Sequence, residues 1–480
     1  SRRARSQSRR HESRTLNPIS RSFALGFLTG AVYFTGTLYW IARVMAVYGG
    51  LPFWLAALLN AGLVIYLSTF PALFALVVRR LISVHGPEAV LAAPFVWVSS
   101  ELARGYLTGF PWAVLGHSQI SALPIAQIAS IGGVYGLSWL TTCLSAAVVF
   151  AATVQRRRFA PLALACLVII ATASWGSRRV AAGELTRLGE PVKVGLVQGN
   201  VDQAIKWDPR SAAGIFQDYI AKTRQAIFEG AELVIWPESS TPFMFEEDPI
   251  GAAQLRTLVR QARVSLIFGS DQIERGSPQK FYNAAFLLRP DGSVGGVYRK
   301  IRLVPFGEYV PFQRLLFFAA PLTEQVGSFT PGERAEMLPV DGHRVSVAIC
   351  YEVIYPSLVR RFVSAGSELL TTITNDAWFG DTSAPAQHFE QAAMRAVEEG
   401  RYLVRAANTG ISGIVDPYGR VLSQTPIFRP AVVVGQARML TTTTFYARHG
   451  DMVTPISAVA SIALLVWPRR RHPVEWGIGE

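Results

Sequence analysis

Cysteine is scarce: the 480 residues contain three, at positions 143, 166 and 350. Three thiols cannot build a disulfide framework, so the fold rests on apolar packing alone. Cys143 and Cys166 fall inside apolar segments, where a thiol behaves as a small hydrophobe, and Cys350 is left as the one in a different setting. Charge is scarce too, at 16% against 50% hydrophobic residues, which is too little for an ordinary soluble globule of this length. Acidic residues are the rarer sign, 33 against 46 Lys and Arg, for a net charge of +13. The arginines cluster at 2–10, 79–80, 156–158 and 469–471, flanking apolar stretches. That is the pattern of membrane anchors; no continuous basic face or recognisable module accompanies it, so nucleic acid is not expected as a partner. A repeat of fixed period is lacking, as is low complexity beyond the basic start. No cleavable signal peptide is expected, because the first apolar segment is long and has no small-residue cleavage site. The chain lacks an initiator Met and starts on a basic run, as expected of a sequence that begins part-way into a longer protein.

What is abundant is long apolar runs, at about 23–42, 51–78, 87–103, 124–154, 159–177 and 452–467. Six spans are expected, since about 20 apolar residues cross a bilayer. The third and last are short, and the uncharged stretch from Gly105 to Gln155 exceeds one span, so Thr108 to Gln119 is expected at the interface or re-entering. With the basic segment 1–22 inside, alternation puts Arg79, Arg80, Arg156 to Arg158 and Arg469 to Arg471 inside as well, as the positive-inside rule asks. The expected organisation is then five spans over 23–177, an outer domain over 178–451, a sixth span over 452–467 and an inner tail over 468–480. Small residues and Asn60 within the spans read as helix packing. Glu101 and Arg104, near Gly109-Phe110-Pro111-Trp112, read either as the lining of a lipid-headgroup entrance or as an interfacial ion pair with a Trp anchor.

From Val192 the texture changes to short β-branched runs alternating with amphipathic segments. Ten strands are expected, near 192–198, 233–236, 265–269, 282–288, 294–298, 345–349, 369–374, 402–406, 412–415 and 432–436. Helices are expected over 211–228, 252–262, 356–364 and 386–400, with hairpin turns at Pro290-Asp291-Gly292 and Asp416-Pro417-Tyr418-Gly419. This mixture predicts a layered α/β domain with two mixed sheets and helices outside.

Three segments run from a strand into polar residues that would sit at its C-terminal end, where open α/β sheets hold ligands. They are Val234 to Ser240 with Glu238, Val297 to Lys300 running on to Pro305-Phe306-Gly307-Glu308-Tyr309-Val310-Pro311, and Val347 to Glu352 with Cys350. A carboxylate, an ammonium and a thiol can converge there. A thiol of ordinary pKa, about 8.5, is only a few per cent thiolate at neutral pH, so it needs a base or a cation beside it. Glu238 can take and return the proton, and a protonated Lys300 can stabilise the thiolate and the oxyanion of a tetrahedral intermediate.

Together with Gln198-Gly199-Asn200, Lys206-Trp207-Asp208, Asn375-Asp376-Ala377-Trp378-Phe379-Gly380 and the flanking spans, these segments resemble the apolipoprotein N-acyltransferases, membrane members of the nitrilase superfamily. The resemblance covers nearly the whole chain and is most specific over Leu303 to Pro311. It implies a membrane α-helical bundle joined to an αββα sandwich, with Glu238, Lys300 and Cys350 as a catalytic triad. It further implies that Glu308 and Glu352 assist, that Tyr351 shapes the site and that Trp207 lies on a mobile arm over the entrance. Members usually carry eight spans, so either a further pair is expected before Ser1, an even number that preserves the orientation, or the N-terminus is differently built. The implied reaction is ping-pong: Cys350 takes an acyl chain from a phospholipid, at sn-1, and passes it to the α-amine of an S-diacylglyceryl cysteine on an apolipoprotein. The implied place is a bacterial-type inner membrane with the catalytic domain on the outer side, and the resemblance implies no cofactor and no metal.

Asn375 and Trp378 read as lining of the acyl pocket or as a cap and a structural Trp. His388 and Glu390 lie near Asp381, but at no strong zinc spacing, and Ser412 reads as a strand start or turn. The aromatic run Leu315 to Phe318 fits either a membrane-dipping loop or a fold over the core. Two other readings stand beside the acyltransferase: a membrane-tethered nitrilase-type amidase, and a transporter or assembly factor with a degenerate domain. An intact Glu238, Lys300 and Cys350 and spans nearly free of ionisable groups argue against the last.

Overall fold

The computed structural model describes residues 17–206, 208–305, 307–309 and 329–467. Helix α1 (Pro18–Leu38) starts on Asn17, whose side chain accepts the Ile19 N–H, with Pro18 in the first turn. After a bend of 49° it continues as α2 (Trp40–Val47). Then come α3 (Phe53–His85), α4 (Ala93–Thr108), the short α5 (Leu123–Ala126), α6 (Ala129–Thr153) and α7 (Ala160–Ala182). Gly26 and Gly30 let α1 lie against α3: a Cβ on Gly26 would stand 2.5 Å from the Pro71 carbonyl oxygen. Among the described residues, α3, α6 and α7 are long and apolar enough to cross a bilayer, as is the bent α1–α2 pair counted as one span. Helix α4, at 16 residues, and the C-terminal apolar helix, at 14, are shorter. The segment after α4 is neither helix nor strand until a 3₁₀ turn at Leu115–Gln119, and it folds against the following domain.

That domain carries two six-stranded sheets. The first is ordered β12-β1-β2-β3-β4-β5, with β1 (Glu190–Gln198), β2 (Leu233–Ile235), β3 (Ser265–Glu274), β4 (Lys280–Leu288), β5 (Val294–Arg299) and β12 (Ala431–Met439). The second is ordered β11-β10-β9-β8-β7-β6, with β6 (Leu338–Val340), β7 (His343–Ile349), β8 (Leu369–Thr374), β9 (Leu403–Ala407), β10 (Gly413–Val415) and β11 (Val421–Gln424). Each sheet is parallel at its centre, β1-β2-β3 and β7-β8-β9, and antiparallel toward its edges. The central strands are buried on both faces, which is why they read as unbroken runs such as Leu233-Val234-Ile235. Each such side chain contributes about 1.5–3 kcal/mol on burial.

Helices α8 (Pro209–Phe228) and α9 (Pro249–Ala262) cover the first sheet, and α10 (Pro356–Ser364) and α11 (Ala384–Glu399) the second, giving the expected αββα layers. Asp208 and Asp248 cap α8 and α9, each followed by Pro, and Gly400 ends α11 in the left-handed conformation. The domain ends in α12 (Phe445–His449), and α13 (Val453–Val466) returns to the helical part. All ten expected strands and four expected helices are present; β6, β11 and α12, the two strands and the helix being three to five residues long, were too short to carry a period.

The two parts share one apolar core, in which Phe34, Leu38, Trp40 and Trp112 join the side chains between the sheets. Glu101 and Arg104 belong to this junction and do not open to lipid: both are buried. Glu101 Oε1 accepts the Leu115 N–H at 2.7 Å, and Arg104 donates to the carbonyls of Trp112 (2.6 Å) and Ala113 (3.2 Å). They form no headgroup entrance. A non-repetitive loop buried between helices and domain needs partners for its backbone, and these two side chains supply them. Trp112 then reaches the domain through an Nε1–H bond to Gln387 Oε1 at 2.7 Å.

Candidate functional site

Strand direction gathers the polar residues. Strands β1, β2 and β3 run together, β4 reverses, and β5 reverses again, so β5 ends at the same edge as β2. Glu238 follows β2, Lys300 follows β5, Cys350 follows β7 and Asn375 follows β8. Lys300 Nζ donates to Glu238 Oε1 at 3.0 Å and to Glu308 Oε1 at 2.9 Å. Asn283 on β4 donates through Nδ2 to the same two oxygens, at 2.7 and 2.9 Å. Glu238 Oε2 accepts the Asn375 N–H at 3.0 Å, and Glu308 Oε2 the Val304 N–H at 2.7 Å. The sharp turn that carries Glu238 rests on Gly269 of β3, where a Cβ would stand 2.4 Å from the Ser239 nitrogen and 2.7 Å from the Glu238 Cα. No side chain fits there.

All of these groups are buried, so their charge states follow from one another. Burial raises the Glu238 carboxyl, but the Lys300 charge and the bonds from Asn283 and Lys300 outweigh it, leaving it below the usual carboxylate range. Burial lowers Lys300, and Glu238 and Glu308 more than reverse this, so it stays an ammonium. For Cys350 burial dominates, reinforced by the Glu238 charge and opposed by Lys300, and the thiol is pushed up. The resting cluster is a carboxylate, an ammonium and a neutral thiol. Such a set can move a proton from sulfur to Glu238 when the sulfur attacks, and can keep a cation beside the oxygen that becomes negative.

Cys350 has φ = +52°, a left-handed conformation that costs a side-chain-bearing residue on the order of 1 kcal/mol. It opens the 3₁₀ turn Cys350–Ile354. Glu352 ties this turn to the Lys300 loop: Oε1 accepts the N–H groups of Ile301 (2.7 Å) and Arg302 (3.0 Å), Oε2 that of Ile349 (2.8 Å). The Tyr298 hydroxyl donates to both oxygens. Burial pushes this carboxyl up to about 7, against those bonds. Tyr351 is buried, donates to the Gly109 carbonyl at 3.3 Å and stacks on Phe110, so the turn touches the loop held by Glu101 and Arg104.

Asn375 caps the following turn and donates through Nδ2 to Gln203 Oε1 at 2.7 Å. Trp378 packs edge-on against Tyr48, the residue after α2, and the Tyr48 hydroxyl donates to the Ala377 carbonyl, so this contact joins the domain to the helical part. Trp207 and the run Leu315 to Phe318 lie outside the described residues. Ser412 is a buried strand-start bridge, donating to Gln198 Oε1 at 2.6 Å. Sequence reading gave no catalytic or supporting role to four neighbours, Asn283, Lys206, His388 and Asp376. Asn283 sits mid-strand with nothing local to mark it. Lys206, buried beside the Glu238 carbonyl, is lowered by burial and held up by Glu238. His388 Nδ1 lies 3.0 Å from Asp376 Oδ1, and among the described residues no group of three or more His, Cys, Asp or Glu is arranged to hold a metal.

The carbon-nitrogen hydrolase family profile matches residues 193–444, and that of the apolipoprotein N-acyltransferase N-terminal domain matches residues 11–147. An apolipoprotein N-acyltransferase of Geobacter metallireducens is 41% identical over 462 residues, covering 94% of this chain and 88% of that one. One of Shewanella oneidensis is 34% identical, covering 96% and 89%. Among solved structures, a nitrilase-superfamily amidase of Nesterenkonia is 22% identical with a TM-score of 0.40, over 56% of this chain and 95% of that one.

Proposed function

The chain belongs to the apolipoprotein N-acyltransferase family, and from this premise we propose that Glu238, Lys300 and Cys350 carry a ping-pong acyl transfer through a thioester on Cys350. The observation that carries the proposal is the buried Glu238–Lys300 pair, bonded at 3.0 Å, at the strand ends where Cys350 sits. Cys350 Sγ attacks the ester carbonyl of a phospholipid while Glu238 takes the thiol proton. The oxyanion faces the Lys300 ammonium. On collapse the C–O bond breaks, Glu238 returns the proton to the glycerol oxygen, and a lysophospholipid leaves. The α-amine of the S-diacylglyceryl cysteine then attacks the thioester and gives its proton to Glu238. Collapse to the amide expels the Cys350 sulfur, which recovers that proton. Glu308 holds Lys300, Glu352 fixes the Cys350 turn to the Lys300 loop, Tyr351 joins that turn to the helical part, Asn375 orients Glu238, and Trp378 borders the acyl pocket. Burial of the cluster favours the amine over water as acceptor, and a membrane-held site replaces a search in three dimensions by positioning.

We place the domain 178–451 on the outer face of a bacterial inner membrane, with spans over 23–177 and 452–467, the basic segment 1–22 and the tail 468–480 inside. The side rests on the Arg clusters at 79–80 and 156–158. A reporter fused at Asp451 is expected to work only outside the cytoplasm. The chemistry is tested by intact mass after incubation with a phospholipid in detergent. The native chain is expected to gain one acyl mass, lost to a diacylated lipopeptide amine; a Cys350→Ser chain that turned over at the native rate would sink the mechanism.

A further inference from the structure

The Cys350 turn has a second anchor on the side away from Lys300. His388, on α11, is wholly buried, and its Nε2 lies 3.1 Å from the backbone carbonyl of Cys350. A carbonyl only accepts, so Nε2 carries a proton and donates it. On the other side of the ring, Nδ1 lies 3.0 Å from an Arg405 guanidinium nitrogen and 3.0 Å from Asp376 Oδ1. Arg405 also donates to Asp376 Oδ2 at 2.8 Å, and the Thr374 hydroxyl to Oδ1 at 2.8 Å. Burial first and the Arg405 charge second lower the imidazole against the pull of Asp376, and the Nε2 proton on the Cys350 carbonyl is common to its neutral Nε2–H form and its charged form. The aromatic rings of Trp112 and Phe379 close over the imidazole at 5.6 and 5.8 Å between centroids. Every freedom of the ring is removed by β8, β9, α11 and the loop after α4.

A trans peptide points its C=O and its N–H in opposite directions. Holding the Cys350 carbonyl against His388 therefore turns the Tyr351 N–H away from His388. That N–H lies in the first turn of a 3₁₀ helix, where backbone donors have no partner within the helix. We infer that His388 is a positioning residue, which through the Cys350 carbonyl aims the Tyr351 N–H as a donor to the oxyanion formed in acyl transfer. Trp112 makes this arrangement depend on the docking of the helical part, because the loop it belongs to also carries the Gly109 carbonyl that holds Tyr351. The inference rests on Cys350 as nucleophile.

Two amide substitutions separate the roles. His388→Gln places a donor where Nε2 was and reaches the carbonyl; His388→Asn keeps a polar contact toward Asp376 and Arg405 but falls short of Cys350. Both are measured in the full chain, in detergent, by the single-turnover rate of acyl gain from a diacyl phosphoglyceride and by the rate of Cys350 alkylation with iodoacetamide. Alkylation forms no oxyanion. The asparagine variant is expected to acylate about 100-fold more slowly at saturating lipid, with the half-saturating lipid concentration and the alkylation rate unchanged, the usual loss when one oxyanion donor is misplaced. The glutamine variant is expected within about fivefold of native, in line with a retained donor. Native acylation by the asparagine variant, or equal falls in acylation and alkylation, overturns the inference. Should only the glutamine variant fold, a loss near 100-fold in it overturns the inference and a native-like rate supports it. Cys350→Ala is the separate control: acyl gain by that variant would remove the nucleophile itself, whereas its absence with a native-like asparagine variant removes only the role of His388.

Discussion

Replacing Lys300 by Met removes a cation that two buried carboxylates share while keeping nearly the same volume. Lys300 is 1% exposed and its partners, Glu238 and Glu308, are 8% exposed at the side chain, so water cannot take its place. Deleting one partner of a buried pair leaves an uncompensated charge, a penalty of about 3–5 kcal/mol. The protein can escape that cost by binding a proton. Glu238, freed of the Lys300 charge that holds it down, would then move up from below its usual range. Loss of the oxyanion cation removes another factor of about 10²–10³. The Lys300→Met chain is expected to fold, because protonation relieves the charge, and to acylate at least about 10³-fold more slowly at pH 7. Its residual rate should have an acidic limb displaced to higher pH. Intact-mass kinetics from pH 5 to 9 report both. A near-native rate, or a slow rate with an unmoved acidic limb, would refute the reasoning that Lys300 sets the state of Glu238.

Gly269→Ala is expected to fold yet lose at least about 10² in acylation rate, since the new Cβ displaces the Glu238 turn and misplaced groups lose that much; an unchanged rate would show that the turn can yield. Alkylation of Cys350 without lipid should titrate above the ordinary thiol value of about 8.5, because burial and Glu238 raise it; a midpoint below 8 would mean that a standing thiolate, not base-assisted attack, starts the reaction. Glu352 is raised from 4.5 to about 7, so the folded state holds its proton more tightly than the unfolded chain. Its contribution is therefore complete below about pH 4.5 and disappears as pH rises through 7, an overall change of about 3 kcal/mol. The apparent unfolding midpoint of the native chain should fall between pH 5 and 8 by more than that of Glu352→Gln; parallel curves would remove Glu352 as the source. Arg104→Met should loosen the helical part from the domain, leaving the Trp112 carbonyl without a donor at about 1–3 kcal/mol while the Ala113 carbonyl keeps the Tyr33 hydroxyl, and protease should then cut near Gly109; unchanged cleavage would argue otherwise.

The sequence by itself determined the candidate residues for the chemistry and the layers that hold them. Central strands such as Leu233-Val234-Ile235 are legible because burial on both faces demands an unbroken apolar run, Glu238 and Cys350 because each stands where such a run ends, and Lys300 because it ends the edge strand that leads into Leu303 to Pro311. Glu101 and Arg104 were visible as ionisable residues at the end of an apolar helix, but not their task. Two charged groups in that position serve a headgroup, each other or a backbone equally well, and only the folded loop offers the carbonyls and the N–H they take. Asn283, which holds two carboxylates together, carries no local signal because its partners come from segments 25 and 45 residues away. The same holds for His388: in the chain it is one histidine on a helix, and its meaning comes from Cys350, 38 residues earlier, and from a Trp that arrives from the other part of the molecule. Periodicity and strand ends are properties of neighbouring residues and survive in the sequence. Charge states and the aim of a peptide group depend on what distant segments bring within 3 Å, and the tertiary structure alone decides them.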